Sequence, residues 1–356
     1  MTLVNATSTA TNSGNLSSVT VNQEVICRDD GNLRVPLATF YTLIFLPGLA
    51  GNLLALYVFF CVHSKKNSVR VFLINIAFAD LLLLVCLPFR ISYHIQGNVW
   101  KLGPYLCNIV GTLFYMNMYI SIVLLGMISV DRYLKINHSG GTRRRVLSTQ
   151  RSTLLCAAIW IVSFALSLPL MMLNSTEESS ERCFHYKTLT DMKWKAYINI
   201  LVLVVFWLAF ISLMVSYGKI ALKLRRRSQE KPDLPNASRY AQTARKSFFI
   251  LFLFTLCFVP YHVLRAFYIY SQITDTGSCL WRDAVDKANE VALLFSALNS
   301  CLDPVIYFML SSSVRKEVKR VVSRLFCEKD VRRISGSSSS ADVPWDNREM
   351  AVACRL

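Results

Sequence analysis

GPYLCNIVGTLFYMNMYISIVLLGMISVDRYL, residues 103–134, is one long, mainly apolar run that closes on Asp131-Arg132-Tyr133. At helical rise it exceeds the about 20 residues needed to cross about 30 Å of hydrocarbon. An ionisable side chain at mid-membrane costs about 2.5–3.5 kcal/mol on insertion scales, so the acid and the arginine mark where the helix leaves the bilayer core. Six more runs lie near 36–62, 69–93, 154–173, 197–224, 247–270 and 285–310, the last closing on Asp303-Pro304-Val305-Ile306-Tyr307. Hydrophobic residues make up 53% of the 356 and mean hydropathy is +0.39, which excludes a soluble domain. Lipid offers no partner to open backbone groups and strand alternation is absent, so the runs are helices. The reading is an all-α membrane protein, a seven-transmembrane helix bundle. No internal repeat is visible, which weighs against a transporter.

The net charge of +17 would suggest nucleic acid in a soluble chain, but its distribution points elsewhere. Of 39 Lys and Arg, 27 fall in or beside the loops after runs 1, 3 and 5 and in the C-terminal tail, against 9 in the N-terminus and in or beside the other loops. That asymmetry places the N-terminus outside and the tail in the cytosol of a plasma-membrane protein. The basic excess then faces anionic lipid and an intracellular partner, and nucleic acid is rejected. The remaining three, Arg90, Arg132 and Arg265, lie inside the runs and require explanation.

The chain divides into an extracellular glycosylated tail (1–35), a transmembrane domain (36–310), an amphipathic helix (311–327) and a disordered cytoplasmic tail (328–356). Residues 1–35 lack the early apolar core of a cleavable signal peptide. Asn5, Asn15 and Asn174 open glycosylation sequons on the expected outside. Cys27, Cys107, Cys183 and Cys279 fall on the same side, an oxidising one. Four cysteines allow three pairings; we favour Cys107–Cys183, tying the third helix to the second outer loop, with Cys27–Cys279. Val314, Val318, Val321, Val322 and Leu325 repeat at helical spacing among basic residues, which describes a helix lying on the membrane surface. Cys327 beyond it is a palmitoylation candidate.

Gly51-Asn52, Ala79-Asp80, Asp131-Arg132-Tyr133, Trp160, Cys257-Phe258-Val259-Pro260 and Asp303-Pro304-x-x-Tyr307 occur in order. Together they resemble the rhodopsin-like G-protein-coupled receptors, over roughly residues 37–326. Phe258-Val-Pro-Tyr-His-x-x-Arg265 narrows the resemblance to the purinergic-type branch, whose ligands are nucleotides and lysophospholipids. Gly111–Tyr119, Cys183-Phe-His-Tyr186 and Asn299-Ser-Cys-Leu-Asp303 are similar to lysophosphatidylserine receptors within it. The resemblance implies a heterotrimeric G protein of the inhibitory type as partner, with receptor kinases and arrestin acting on a Ser-rich tail.

It also implies a switch in which Arg132, held by Asp131, is released toward Tyr217 and Tyr307 as helix 6 swings outward. Phe258 beneath the ligand and the helix-breaking Pro260 are its other parts. The plain alternatives are an arginine snorkelling to headgroups and a core aromatic. Asn117 and Ser121, like Asn299 and Asp303, are four apart and share a helix face; with Asp80 they form a mid-membrane oxygen cluster. The family implies a regulatory sodium ion there and no other cofactor; a water network with one protonated carboxyl is the alternative.

Tyr261, Arg265 and Tyr268 share one face of helix 6. Tyr115 and Tyr119 share one of helix 3. Two arginines with aromatic walls suit a phosphate ester on an apolar body, with Arg90 the second. His185 and His262 complete the candidate ligand set with Asn289 and Glu290, which open helix 7. Glu290 would receive an ammonium, or simply pair with Arg265. The function expected is a receptor for an anionic lysophospholipid, with an ADP-like nucleotide as runner-up ligand and a transporter as a remote alternative. No catalytic triad, metal-ligand or phosphate-loop spacing appears, so an enzyme is not expected.

Overall fold

The computed structural model describes residues 31–62, 67–137, 148–173, 183–184, 193–230, 237–274, 279–311, 314–320 and 323. Seven long helices run in order: α1 (Arg34–Tyr57, finishing in a π-turn, Val58–Val62), α2 (Ser68–Ile95), α3 (Gly103–Asn137), α4 (Thr149–Leu173), α5 (Lys193–Glu230), α6 (Ala237–Thr274) and α7 (Cys279–Leu310). A short helix, α8, follows over 314–320. All seven are long and apolar enough to cross a membrane, and no strand occurs among the described residues. The bundle expected from hydropathy is therefore the one that forms.

Helix ends differ from the apolar windows. α6 begins ten residues before the expected Ser247, and α7 begins at Cys279 rather than near Val285. Hydropathy registers only the lipid-facing stretch, whereas a helix continues wherever local pairs support it. In α7 the pair Asp283–Lys287, 2.7 Å apart at i,i+4, is one such support. As a result Asn289 and Glu290 do not open α7 but sit about three turns inside it.

Lipid tails are as apolar as leucine, so helices associate in a bilayer through close packing and polar bonds. α1, α2 and α7 show both. A Cβ on Gly51 would stand 2.6 Å from Cγ of Pro304, so only glycine lets α1 approach α7 this closely. One residue on, the buried Asn52 amide donates to the carbonyls of Gly48 (2.9 Å) and Ser300 (2.8 Å). Trp160 of α4 donates through Nε1 to Asn75 of α2 at 2.9 Å. α3 lies at the centre, against α2, α4 and α5. α4 and α5 present Ile161, Leu201 and Leu208 outward, as lipid contact demands.

The helix ends are capped locally. Asn67 accepts from the Arg70 backbone N–H at 2.8 Å to start α2. Arg315 of α8 donates to the carbonyls of Phe308 (3.4 Å) and Met309 (3.2 Å), closing α7. In α8 Val314 is buried while Lys316, Lys319 and Arg320 are exposed, the amphipathic arrangement expected. The Cys107–Cys183 disulfide is present and marks one end of the bundle. Asn5, Asn15, Asn174, Cys27, His185, Cys327 and the 328–356 tail lie outside the described residues, as does the side chain of Cys279.

Gly51→Ala should destabilise the bundle by about 1–3 kcal/mol, the cost of overpacking a tight contact. Gly126→Ala, whose added Cβ meets nothing within 4 Å, is the control. Thermal unfolding of the purified chain should show a lower midpoint for the first and no change for the second; equal midpoints refute the contact's role.

Candidate functional site

At the disulfide end the two interior arginines have different company. Arg90, on α2, is almost wholly buried, and its Nη2 donates to both carboxylate oxygens of Glu290 on α7 at 3.0 Å. Its Nη1 donates to the Tyr41 hydroxyl at 3.3 Å. The guanidinium carbon stands 4.6 Å from the Phe184 ring centre, 4.7 Å from Phe114 and 5.5 Å from Tyr41, a cage of aromatic faces that suits a cation. Phe184, next to the disulfide, has the left-handed φ of 57°, uncommon for a bulky residue. Its ring is wedged edge-on against Tyr93 and Trp100.

Arg265, on α6, has no carboxylate partner among the described residues. Its Nη2 donates to the amide oxygen of Asn199 on α5 at 3.0 Å. Tyr268 lies 4.8 Å and Tyr115 5.8 Å from its guanidinium carbon. Tyr115 is close enough to both arginines to interact electrostatically, so the two charges lie on either side of one tyrosine. Of the two roles open to Glu290, the simple pairing with Arg265 does not form: Glu290 pairs with Arg90, which is not a free cation here. Asn289, next to Glu290, is buried with its amide oxygen unpartnered.

Beneath Arg265 an aromatic column leads inward. His262 stacks on Phe206 of α5 with ring centres 3.4 Å apart and meets Tyr119 and Tyr261 edge-on. Its Nδ1 lies 2.8 Å from the Phe258 carbonyl and so carries the proton, leaving Nε2 as an acceptor. Phe258 is fully buried and packs edge-on against Phe254 at 5.0 Å. Pro260 lies inside α6, between these contacts.

In mid-bundle the structure brings together Asp80, Asn117, Asn299 and Asp303, with Tyr307 joining them. Asn117 donates to Asp80 at 3.3 Å, Tyr307 donates to the other Asp80 oxygen at 3.3 Å, and Asn299 donates to Asp303 at 2.7 Å. The two carboxyls lie against each other. Ser121 Oγ and Asp303 Oδ1 are buried without a hydrogen-bond partner. Among the described residues no group of three or more His, Cys, Asp or Glu is arranged for a metal, so any ion here would rely on amide and hydroxyl oxygens as well.

At the far end, Asp131 accepts from Ser68 of α2 at 3.0 Å. Arg132 lies within electrostatic reach of Asp131 and Tyr217. The Tyr217 hydroxyl is hydrogen-bonded to Ser129. Tyr133 is half-buried, and Lys219 stands over its ring at 6.0 Å. Pro304 packs on Gly51, and Tyr307 meets Phe59 of the π-turn edge-on. The sequence reading did not single out Tyr41, Phe114, Phe184, Asn199 or Ser68 for these roles. Asn199 alone carried a local signal, as an amide at the edge of an apolar run.

The seven-transmembrane receptor pattern of the rhodopsin family matches residues 51–307. Probable G-protein coupled receptor 34 of Mus musculus is 49% identical over 300 residues, 84% of this chain and 80% of that one. The protein of the same name from Pan troglodytes is 45% identical over 341 residues, 95% and 88% of the two chains. Purinoceptor 14 of Bos taurus is 35% identical over 279 residues, 78% and 82% respectively.

A buried charge left without its partner costs about 3–5 kcal/mol, whereas an apolar pair of similar volume is often neutral. Arg90→Met and Glu290→Leu should therefore each lower the thermal midpoint more than the two changes combined. A double variant as unstable as the sum of the singles would refute a direct pair.

Proposed function

The chain belongs to the rhodopsin family of seven-transmembrane receptors, and from that premise we propose that it answers lysophosphatidylserine and signals to a G protein of the inhibitory type. It is a multi-pass membrane receptor with a G protein as partner, not an enzyme. The proposed ligand site lies at the disulfide end, which the distribution of Lys and Arg assigns to the outside. The G protein would meet the Asp131-Arg132-Tyr133 end.

The observation that carries the ligand reading is the unequal pairing of the two arginines. Lysophosphatidylserine brings a phosphate, a carboxylate and an ammonium. The phosphate suits Arg265, whose neighbours are an amide and two rings. The carboxylate and the ammonium match Arg90 and Glu290, which can exchange each other for the headgroup and leave no buried charge unpaired. The free Asn289 oxygen offers the ammonium a second acceptor. A nucleotide brings only negative charge to the phosphate side and would leave Glu290 facing it. The purinoceptor, whose name points to a purine ligand, is less similar at 35% than the relatives at 45–49%, which weighs against a nucleotide.

Agonist contact would reach Phe258 through His262 and Phe206, and the bend at Pro260 would let α6 move. Arg132 would then leave Asp131 for Tyr217 and Tyr307. Glycans at Asn5, Asn15 and Asn174, a Cys27–Cys279 bridge, a palmitate at Cys327, and a phosphorylated tail read by arrestin belong to the same proposal.

A regulatory sodium ion fits the mid-bundle cluster, because the Asp80–Asp303 carboxyl pair keeps one buried oxygen, Asp303 Oδ1, without a hydrogen-bond partner, and Ser121, four residues from Asn117, offers another. Asp80, Asn117, Ser121, Asn299 and Asp303 would hold it. A bound cation supplies the positive charge that lets two adjacent carboxylates both stay ionised.

In cells expressing the full chain, lysophosphatidylserine should suppress cAMP, and Arg265→Ala should abolish that response at normal surface level. Glu290→Gln should weaken lysophosphatidylserine by up to about a hundredfold, and more than lysophosphatidic acid, which lacks the amine. Equal shifts for both lipids would retire the ammonium contact; a parent that answers ADP but neither lipid would retire the lipid.

Sodium should lower agonist affinity for the parent and leave the Asp80→Asn variant unaffected. Equal sodium sensitivity in both would exclude the ion site.

A further inference from the structure

We propose that Asn199 is a specificity-determining positioning residue: its neutral amide aims the Arg265 guanidinium without consuming the charge that an anionic ligand needs. This rests on the reading above in which Arg265 receives the ligand's phosphate.

The two arginines supply the comparison. Arg90 gives one Nη2 to both oxygens of a carboxylate, and its charge is balanced inside the protein. Arg265 gives its Nη2 to one amide oxygen at 3.0 Å, and its other neighbours among the described residues are tyrosines, Tyr115 and Tyr268 beneath the guanidinium with Tyr261 and Tyr119 near it. An amide oxygen directs a guanidinium but cancels none of its charge, whereas a carboxylate in the same position brings the opposite charge that balances it. A single amide-to-acid change at 199 would therefore turn the Arg265 site into a second copy of the Arg90 site. The Nε of each arginine is buried without a hydrogen-bond partner, so the difference between them lies in what the Nη atoms meet.

Placement gives the residue a second reach. Asn199 and Phe206 are seven apart on α5 and share a face, as do His262 and Arg265, three apart on α6. The Asn199–Arg265 bond thus sits above the Phe206–His262 stack, and both tie α5 to α6. Through His262 and the Phe258 carbonyl, the position of Arg265 is linked to the deepest aromatic of the column.

The test separates charge from structure, because Asn and Asp have nearly the same shape. The full-length receptor carrying Asn199→Ala or Asn199→Asp is expressed in cells, with surface level and the lysophosphatidylserine dose–response measured for each. Asn199→Ala, which removes the aim but keeps the charge, should weaken potency by about fivefold, while Asn199→Asp, which keeps a bond but balances the charge, should weaken it by about thirtyfold or more. A merely structural role requires the reverse order, with Ala at least as harmful as Asp. Should Asn199→Asp fail to reach the surface, Asn199→Gln and Asn199→Glu form a second neutral and charged pair with the same expected gap. Potencies of the acid and neutral variants within about threefold of each other, at matched surface levels, overturn the proposal. If the parent ignores lysophosphatidylserine and answers ADP, the ligand reading fails, and the same comparison run with ADP still decides the role of Asn199.

Discussion

A polar atom inside hydrocarbon has no water to fall back on, and this constraint organises the whole bundle. Every helix that enters the core must bring its own partners or find them on a neighbour. Asn52 finds a backbone carbonyl on α7, Trp160 finds Asn75 on α2, and Asp131 finds Ser68. These bonds do more than satisfy atoms. Because association in lipid draws little from the hydrophobic effect, they choose which faces of the helices meet. Close approach then follows where side chains permit it, as at Gly51 and Pro304.

The same constraint separates the two interior arginines into different chemical species. A buried guanidinium can be balanced by a carboxylate or held by neutral groups. Arg90 has the first arrangement and Arg265 the second. Among the described residues the two arginines therefore differ, one balanced by a carboxylate and one with no carboxylate bonded to it. Such an inventory suits a headgroup that is itself one zwitterion plus one anion, and this is the physical content of the ligand proposed. Aromatic rings serve both arginines without discriminating between them, because a quadrupole attracts a cation and leaves its charge intact.

Between that site and the Asp131-Arg132-Tyr133 end, the interior alternates aromatic and polar layers. His262 and Phe206 stack, Phe254 and Phe258 pack below them, and the Asp80–Asp303 cluster follows. Tyr307 belongs to two layers at once: its hydroxyl reaches Asp80 and its ring touches Phe59. A side chain with contacts in both layers cannot turn without disturbing each of them. That is why the oxygen cluster and the α1 π-turn are mechanically joined through Tyr307.

Hydropathy and local periodicity settled the seven spans, the capping of their ends by charged motifs and the shared face of Tyr261, Arg265 and Tyr268. Each depends only on residues a few positions apart along one helix. The amphipathic character of α8 was legible for the same reason. Helix ends were less so, since α6 and α7 continue past the apolar stretch on polar turns that a hydropathy window does not see. What the tertiary structure alone decided is who faces whom. Arg90 and Glu290 are 200 residues apart, Asn52 and Ser300 248, and Arg265 and Asn199 66. Those meetings depend on the rotation and depth of each helix about its own axis. Both are set by packing against neighbours, which no pattern within a single segment records.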